Sequence, residues 1–479
     1  MPLEQVAGQV IVASYSGTNP STAASLVREL HLAGVILMGD NVSGPEQVRS
    51  TAAAVERAVA DDGRRWPAVV SVDQEGGLVA RIREPAAEFP TFMTAGAAAA
   101  GGDLEAVRDA ARASGEELRS LGFTWVNAPV ADVTIGPADP TIGARSASDD
   151  PQLVAKTVTA AIEGYLAAGI VPVAKHYPGH GSVTTDSHVG LPVQKTSIEQ
   201  LRRRDLVPFA AAARAGVPAV MMSHVAVTAL EPGVPSTLAA PAYRLLRQQT
   251  GFTGVAVTDA LDMGAVTQEY GSGGAAVRAL EAGADLLLMP ADVRAAHAAV
   301  VDAVQDGRLD RKRLDDAAAR VVALMRHQAA ADTSARDAGS PGSGRKASAA
   351  LSAAGVTVAS GACSGPLVSG PVRVVGGTQE DRARFRAAAR AKGLAVSESS
   401  GAIVRLLLSG TAVGTGDVVV ALDAPYGLGR STASSARIAL YGRTPDAFAA
   451  LLDVLTGKAP APGRLPVAVK GLPARAGCS

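Results

Sequence analysis

The stretch from Val173 to Pro192, Val-Ala-Lys-His-Tyr-Pro-Gly-His-Gly-Ser-Val-Thr-Thr-Asp-Ser-His-Val-Gly-Leu-Pro, gathers groups that can move protons and hold polar ligands. Lys175 and His176 stand where an apolar run ends, and a glycine-rich loop then carries His180, Asp186 and His188. Three of the chain's seven histidines lie in this one connection. In extended chain, residues two apart point the same way, so the Asp186 carboxylate can lie beside the His188 imidazole. Such a pair fixes the imidazole tautomer, stabilises the imidazolium and gives a proton shuttle near neutral pH. Gly179, Gly181 and Gly190 would let the loop swing over a substrate.

Further polar groups follow other apolar runs. Asp73-Gln-Glu-Gly-Gly77 is followed by Arg81; Arg145 lies in a polar loop; His224 ends Met222-Ser-His; and Asp259 follows Val257-Thr. Each has a plainer reading. Asp259 could cap the next helix, although Asp262 is better placed to do so. Asp73 and Glu75 could only shape a turn before the glycine pair. Arg145 could be a surface residue, and Asp132 reads as structural. Two chemistries fit the set. In one, Asp259 is a nucleophile and Asp186–His188 the acid/base pair of a two-step glycosyl transfer. In the other, His176, His180, Asp186 and His188 hold a divalent metal that activates water. Pro178-Gly179 opposes the helix that would align His176 with His180, which weakens the metal reading.

The elements that must position these groups are legible as an alternation. Short apolar runs at 9–14, 34–38, 68–72, 124–128, 170–174, 219–222, 254–257 and 285–289 read as parallel strands covered on both faces. Between them, 21–30, 45–60, 103–121, 151–168, 198–215 and 275–282 read as helices, and 311–327 continues the pattern. Eight such units over about 300 residues favour a (β/α)8 barrel over an open doubly wound sheet, with working residues at the strands' C-terminal ends. No Gly-x-Gly-x-x-Gly follows the first strand, against a dinucleotide site. Residues 1–328 are thus expected to form the barrel. Residues 329–346, with Gly339-Ser-Pro-Gly-Ser-Gly344, read as a linker. Residues 347–479 form a smaller α/β domain, with strands at 372–375, 403–408, 418–422 and 438–441 and helices at 380–392 and 445–455.

Composition excludes several classes. Lysine plus arginine and aspartate plus glutamate are equal at 45 each, and aromatics are only 3%, which argues against a nucleic-acid surface. No apolar run approaches the roughly 20 residues of a membrane span. The first residues lack the pattern of a signal peptide, so the chain as given is expected in the cytoplasm, or exported if a leader has been removed. Cys363 and Cys478 lie outside metal-ligand spacing and read as two free thiols at least as readily as one disulfide within a C-terminal domain.

Lys175-His-Tyr-Pro-Gly-His-Gly-Ser-Val-Thr-Thr-Asp186-Ser-His188 resembles the signature loop of family 3 glycoside hydrolases, in the β-N-acetylglucosaminidase branch. Asp73-Gln-Glu-Gly-Gly77, Arg145-Ser146, Met222-Ser-His224, Thr258-Asp-Ala-Leu-Asp-Met263 and Gly457-Lys-Ala-Pro-Ala-Pro-Gly-Arg-Leu-Pro466 are similar to further blocks of that family in the same order. The resemblance implies a (β/α)8 barrel with a C-terminal α/β sandwich domain. It also implies a retaining enzyme that removes terminal β-N-acetylglucosamine from peptidoglycan fragments or chitin oligomers, with no metal or other cofactor. It assigns Asp259 as nucleophile, His188 as acid/base and Asp186 as its partner. Asp73, Arg81, Arg145, Lys175 and His176 would bind the sugar, and His224 joins them from its strand end. The partner expected is a small carbohydrate, and the chain is expected to be a monomer. A phosphorylase is the alternative, since an imidazole base adds no negative charge against phosphate. A β-glucosidase, a metal-dependent hydrolase and a non-catalytic sugar-binding protein rank below it. Leu78 stands where the family often has arginine, and Ala260 where a second aspartate is common.

Overall fold

Eight short strands form the first sheet: β1 (Ile11–Ala13), β2 (Gly34–Leu37), β3 (Val69–Val72), β4 (Trp125–Val126), β5 (Val171–Tyr177), β6 (Ala219–Met222), β7 (Val255–Thr258) and β8 (Leu287–Leu288). All pairings between them are parallel, in the order β7-β6-β5-β4-β3-β2-β1-β8. The ring closes where Val257 bridges to Leu286 and the Thr258 amide donates to the Leu286 carbonyl at 2.9 Å. The computed structural model describes residues 1–187, 190–331 and 339–478. Apolar runs without alternation suit strands buried on both faces. Trp125, Val173, Met221 and Val257 fill the barrel interior, and the outer strand faces pack against the surrounding helices. Every expected barrel strand falls on an observed one.

Two differences bear on function. The expected strand at 170–174 does not end before Lys175: β5 runs on through Lys175 and His176 to Tyr177, all of it buried. Charged residues are tolerated there because each has a buried partner. The expected helix at 198–215 is two helices, Ile198–Arg203 and Leu206–Arg214. The break at Arg204 (φ −127°, ψ −76°) turns its guanidinium onto the Val133 and Thr134 carbonyls, at 3.1 and 2.8 Å, and onto Asp205 at 2.8 Å. Burial pushes the Asp205 carboxyl up to about 6, and this residue packs against Gly179, where an added Cβ would lie 2.8 Å from its own Cβ. The break therefore supports the loop after β5.

Some elements gave no pattern in the sequence. The helix Phe92–Ala100 (Phe-Met-Thr-Ala-Gly-Ala-Ala-Ala-Ala) has no polar face because it is buried among other helices, and Gly96 meets the Ala147 carbonyl so closely that no side chain fits. Helices reach into both ends of the expected linker: one continues to Ala331, and another, Arg345–Gly355, packs on Phe92–Ala100, Leu104–Ser120 and Pro445–Leu455. The second sheet contains β9 (Thr357–Ser360), β10 (Val372–Gly376), β11 (Ala402–Leu407), β12 (Thr415–Ala421) and β13 (Thr432–Ala439), in the order β9-β13-β12-β11-β10. Only β9 is antiparallel to its neighbour. Helices Gln379–Lys392 and Pro445–Leu455 cover it, with Phe385 against Phe448 edge to face. Among the described residues no helix is long and apolar enough to cross a membrane.

Cys363 and Cys478 are joined as a disulfide, 115 residues apart in sequence. Closing so long a loop restricts the unfolded chain, so Cys363→Ser is expected to lower stability by about 2–4 kcal/mol in denaturant titration under oxidising conditions.

Candidate active site

The C-terminal ends of β3, β5 and β7 and the loop after β4 meet around a cleft of ≈ 260 Å³, lined by Asp73, Arg81, Arg145, Lys175, His176 and Asp259 together with Glu75, Ser187 and Asp262. Its wall is an ion cluster. Glu75 receives both nitrogens of the Arg145 fork, Nε and Nη2, each at 2.8 Å, and Lys175 Nζ at 2.7 Å. Lys175 also meets Asp73 at 3.1 Å, and Arg81 approaches the other Asp73 oxygen at 3.8 Å. Burial alone would push the Glu75 carboxyl up, but Arg145 and Lys175 outweigh it and hold it well below the usual carboxylate range. Burial likewise works against the Lys175 ammonium, and Asp73 and Glu75 hold it above its ordinary value. Both cations are thus fixed and charged. Arg81 Nε is buried and bonds none of the described residues, which leaves a donor for a ligand oxygen.

His176 is oriented from behind. The fully buried Asp132 accepts from His176 Nδ1 at 2.7 Å and from the His176 amide at 3.2 Å, while its other oxygen accepts the His180 amide at 2.6 Å. Burial opposes ionisation of Asp132, but His176 and the bonds from both histidines hold its carboxyl below the usual range. With Nδ1 committed, His176 presents Nε2 to the cleft beside Arg145. Asp132 is therefore the structural residue its sequence suggested, in a demanding place. Asp132→Asn puts an amide donor where His176 needs an acceptor. Loss of one charge-assisted bond predicts a fall of about 10- to 100-fold in kcat/KM, with little change in the fold by circular dichroism.

Asp259 follows β7 at the cleft floor. Its amide donates to the Met222 carbonyl and its Oδ1 accepts the Ala260 amide, both at 2.9 Å. Burial would raise its carboxyl, but His176, the Ala260 amide and Lys175 together hold it below the usual range, ionised and ready to act as a base or nucleophile. Asp262 is not the cap of the next helix: that helix, Gly264–Ala282, has Met263 at its N-cap position.

His224 does not join the cleft. It is fully buried, with Nδ1 at 2.8 Å from the Thr237 hydroxyl and Nε2 at 2.8 Å from the Ala260 carbonyl. Burial holds it below the ordinary histidine value, so the neutral ring donates through Nε2 to Ala260. Both nitrogens are occupied, and its place is to hold the turn that carries Asp259. The expected sugar contact from His224 therefore finds no support in the ring's partners.

In the loop, His180 is buried and neutral, lowered by burial and then by His176, and its Nε2 bonds the Ser187 hydroxyl at 2.9 Å. Asp186 is half-buried and Ser187 reaches the cleft. His188 lies outside the described residues. Among the described residues no group of three His, Cys, Asp or Glu side chains is arranged to hold a metal ion. Leu78, which replaces the family's frequent arginine, is 66% exposed and faces a different cavity, between the hairpin and the second domain.

Sequence reading gave Glu75 only a turn-shaping role, yet it is the centre of the cluster. It lies two residues from Asp73, so the period-two argument applied to Asp186 and His188 would have found it. Asp132 carried no such signal, since its partner His176 is 44 residues away.

A carboxylate held ionised at the C-terminal rim of a (β/α)8 barrel, faced by fixed cations and further carboxylates, makes a polar cleft that can hold hydroxyl groups. Residues 3–324 match the model of the glycosyl hydrolase family 3 N-terminal domain. The chain is 34% identical over 331 residues to beta-hexosaminidase A of Pseudoalteromonas piscicida, covering 64% of this chain and 55% of that protein's length. The structure of a glycoside hydrolase family 3 beta-N-acetylglucosaminidase from Paenibacillus sp. str. FPU-7 superposes with a TM-score of 0.85 at 30% identity, covering 98% of this chain and 99% of that one. A beta-N-acetylhexosaminidase from Beutenbergia cavernae DSM 12333 superposes with a TM-score of 0.62 at 31% identity, covering 68% of this chain but 98% of its own. The chain belongs to glycosyl hydrolase family 3.

Proposed function

We propose that the protein is a retaining exo-β-N-acetylglucosaminidase that releases terminal non-reducing β-N-acetylglucosamine from peptidoglycan fragments or chitin oligomers. The observation that carries this reading is the ionised Asp259 facing Lys175, His176 and the Glu75-centred cluster across one small cleft. Similarity to relatives named as beta-hexosaminidases and a beta-N-acetylglucosaminidase supports the choice of sugar.

Asp73, Arg81, Arg145, Lys175 and His176 hold the sugar hydroxyls by charge-assisted bonds. Asp259 attacks the anomeric carbon as the bond to the leaving oxygen breaks, and His188, held as imidazolium by Asp186, gives that oxygen its proton. The neutral His188 then takes a proton from water, whose oxygen attacks the same carbon and releases Asp259. Two inversions return the β-configuration. The disulfide favours work in an oxidising compartment, because such bonds are rare where glutathione and thioredoxin keep thiols reduced.

Incubation with 4-nitrophenyl N-acetyl-β-glucosaminide in phosphate-free buffer is expected to release nitrophenol together with free N-acetylglucosamine. Release only when phosphate is added, with a sugar phosphate as product, would establish the phosphorylase instead. No release under either condition would remove both.

A further inference from the structure

Among the described residues the second domain supplies none that line the Asp259 cleft, yet it is wired to the hairpin that forms one wall of it. We propose that it acts as a brace for the sugar-binding hairpin, with Arg384 as a positioning residue; the proposal rests on the reading that this cleft binds sugar. The hairpin pairs Gln74–Gly76 with Val79–Ala80. One side presents Glu75, Val79 and Arg81 to the cleft. The other side faces a cavity of ≈ 220 Å³, whose far wall is made by Thr378, Arg384 and Arg443 of the second domain.

Between hairpin and domain lies the loop from Glu88 to Thr91. The Gly77 amide donates to the Phe89 carbonyl at 2.8 Å. A Cβ on Gly76 would lie 2.4 Å from the Pro90 carbonyl oxygen, and one on Gly77 would lie 2.4 Å from Thr91 Cγ2, so hairpin and loop are in direct contact with no room for side chains. The same loop is held from its other side. Arg384 bonds both Glu88 oxygens, at 2.9 and 3.2 Å, and the Thr91 hydroxyl donates to the Tyr441 carbonyl at 2.6 Å. The Thr94 hydroxyl reaches that carbonyl too, at 3.1 Å. A Cβ on Gly442 would lie 2.9 Å from Pro90 Cβ, so Pro90 is clamped between the hairpin and the second domain. Tyr441 is buried and left-handed (φ +55°), a conformation a tyrosine rarely adopts, and its carbonyl is the one that receives both threonines.

Arg384 is itself fixed by the Arg443 carbonyl at 2.6 Å and by Glu380 at 2.7 Å, and Arg443 by Asp381 and Asp423. The chain of contact therefore runs from the second sheet's helix through Glu88–Thr91 to the backbone that carries Asp73, Glu75 and Arg81. Sugar contacts tolerate displacements of only about 0.5 Å, and residues on loops reach that precision when a supporting shell holds them. Here the hairpin has one.

The test uses the full chain and compares Arg384→Gln, Arg384→Glu, the double variant Arg384→Glu/Glu88→Arg, and Arg386→Glu as a control that breaks an exposed pair on the same helix. KM and kcat on 4-nitrophenyl N-acetyl-β-glucosaminide are read with amide hydrogen exchange over residues 74–82 and the melting temperature. The brace predicts that both single Arg384 variants raise KM about 5- to 10-fold with kcat within about 2-fold, because binding common to ground and transition state is lost. It also predicts faster exchange at Gly77, recovery of both readouts in the charge-swapped double variant, and no effect of Arg386→Glu. A fall in melting temperature with KM and hairpin exchange unchanged would overturn the brace and leave an ion pair that only glues the domains. If the wild-type chain leaves this glycoside uncleaved, the glycosidase reading fails, while the exchange at residues 74–82 still decides the brace.

Discussion

Asp259→Ala is expected to lower kcat on 4-nitrophenyl N-acetyl-β-glucosaminide by roughly 10⁴-fold or more, the scale seen when a nucleophile is removed from an otherwise intact site. At 1.36 kcal/mol per decade this corresponds to about 5.4 kcal/mol of transition-state stabilisation. The expectation follows from position and charge together. Asp259 lies at the cleft floor, its backbone is fixed to Met222, and its carboxyl is held ionised against the pull of burial by His176, the Ala260 amide and Lys175. Stability should change little, because among the described residues the carboxylate hydrogen-bonds only the adjacent Ala260 amide. Steady-state kinetics and a melting curve on the same preparation check both halves. A variant retaining wild-type kcat would show that the nucleophile is another group.

Glu75→Gln is expected to damage both stability and activity. It removes the charge that three nitrogens of Arg145 and Lys175 share, and it turns an amide donor toward cations that offer donors and no acceptor. Breaking a buried ion cluster by deleting one partner costs about 3–5 kcal/mol, so denaturant unfolding should shift by that amount. Displacement of Lys175 and Arg145 should lower kcat/KM by about 100-fold in addition. The pH dependence has a definite sign. The folded-state carboxyl of Glu75 is depressed, so its contribution is complete above the ordinary glutamate range and is lost only as pH falls below that range toward the folded value. The stability gap between wild type and Glu75→Gln should therefore be constant from about pH 8 to pH 5.5 and shrink in stronger acid. A gap that closed near neutral pH would mean that Glu75 is protonated there and that the cluster is not ionic.

The barrel was legible because parallel strands buried on both faces leave continuous apolar runs, and each of the eight runs fell on a strand. Helix Phe92–Ala100 was invisible for the complementary reason: burial all round leaves no periodic polar face. The break at Arg204 escaped because its cause, the carbonyls of Val133 and Thr134, lies 70 residues away in sequence. At the site, Asp73, Arg81, Arg145, Lys175, His176 and Asp259 were found from their places after apolar runs, and they line one cleft. His224 met the same criterion and is not among the residues that line the cleft, since a strand end says where a side chain starts and not which way its two nitrogens turn. Glu88 gave no signal in the sequence and Asp132 no more than a structural reading, because their importance lies in long-range partners, Arg384 and His176.

A covalent bond between Asp259 and the sugar can be trapped directly. A 5-fluoro N-acetylglucosaminyl fluoride slows the second step more than the first, so the glycosyl-enzyme accumulates and can be digested and sequenced by mass spectrometry. One fluoro-sugar per chain is expected, on the peptide containing Asp259, and none in Asp259→Ala. A label on another carboxylate, or full turnover with inverted configuration and no adduct, would contradict it.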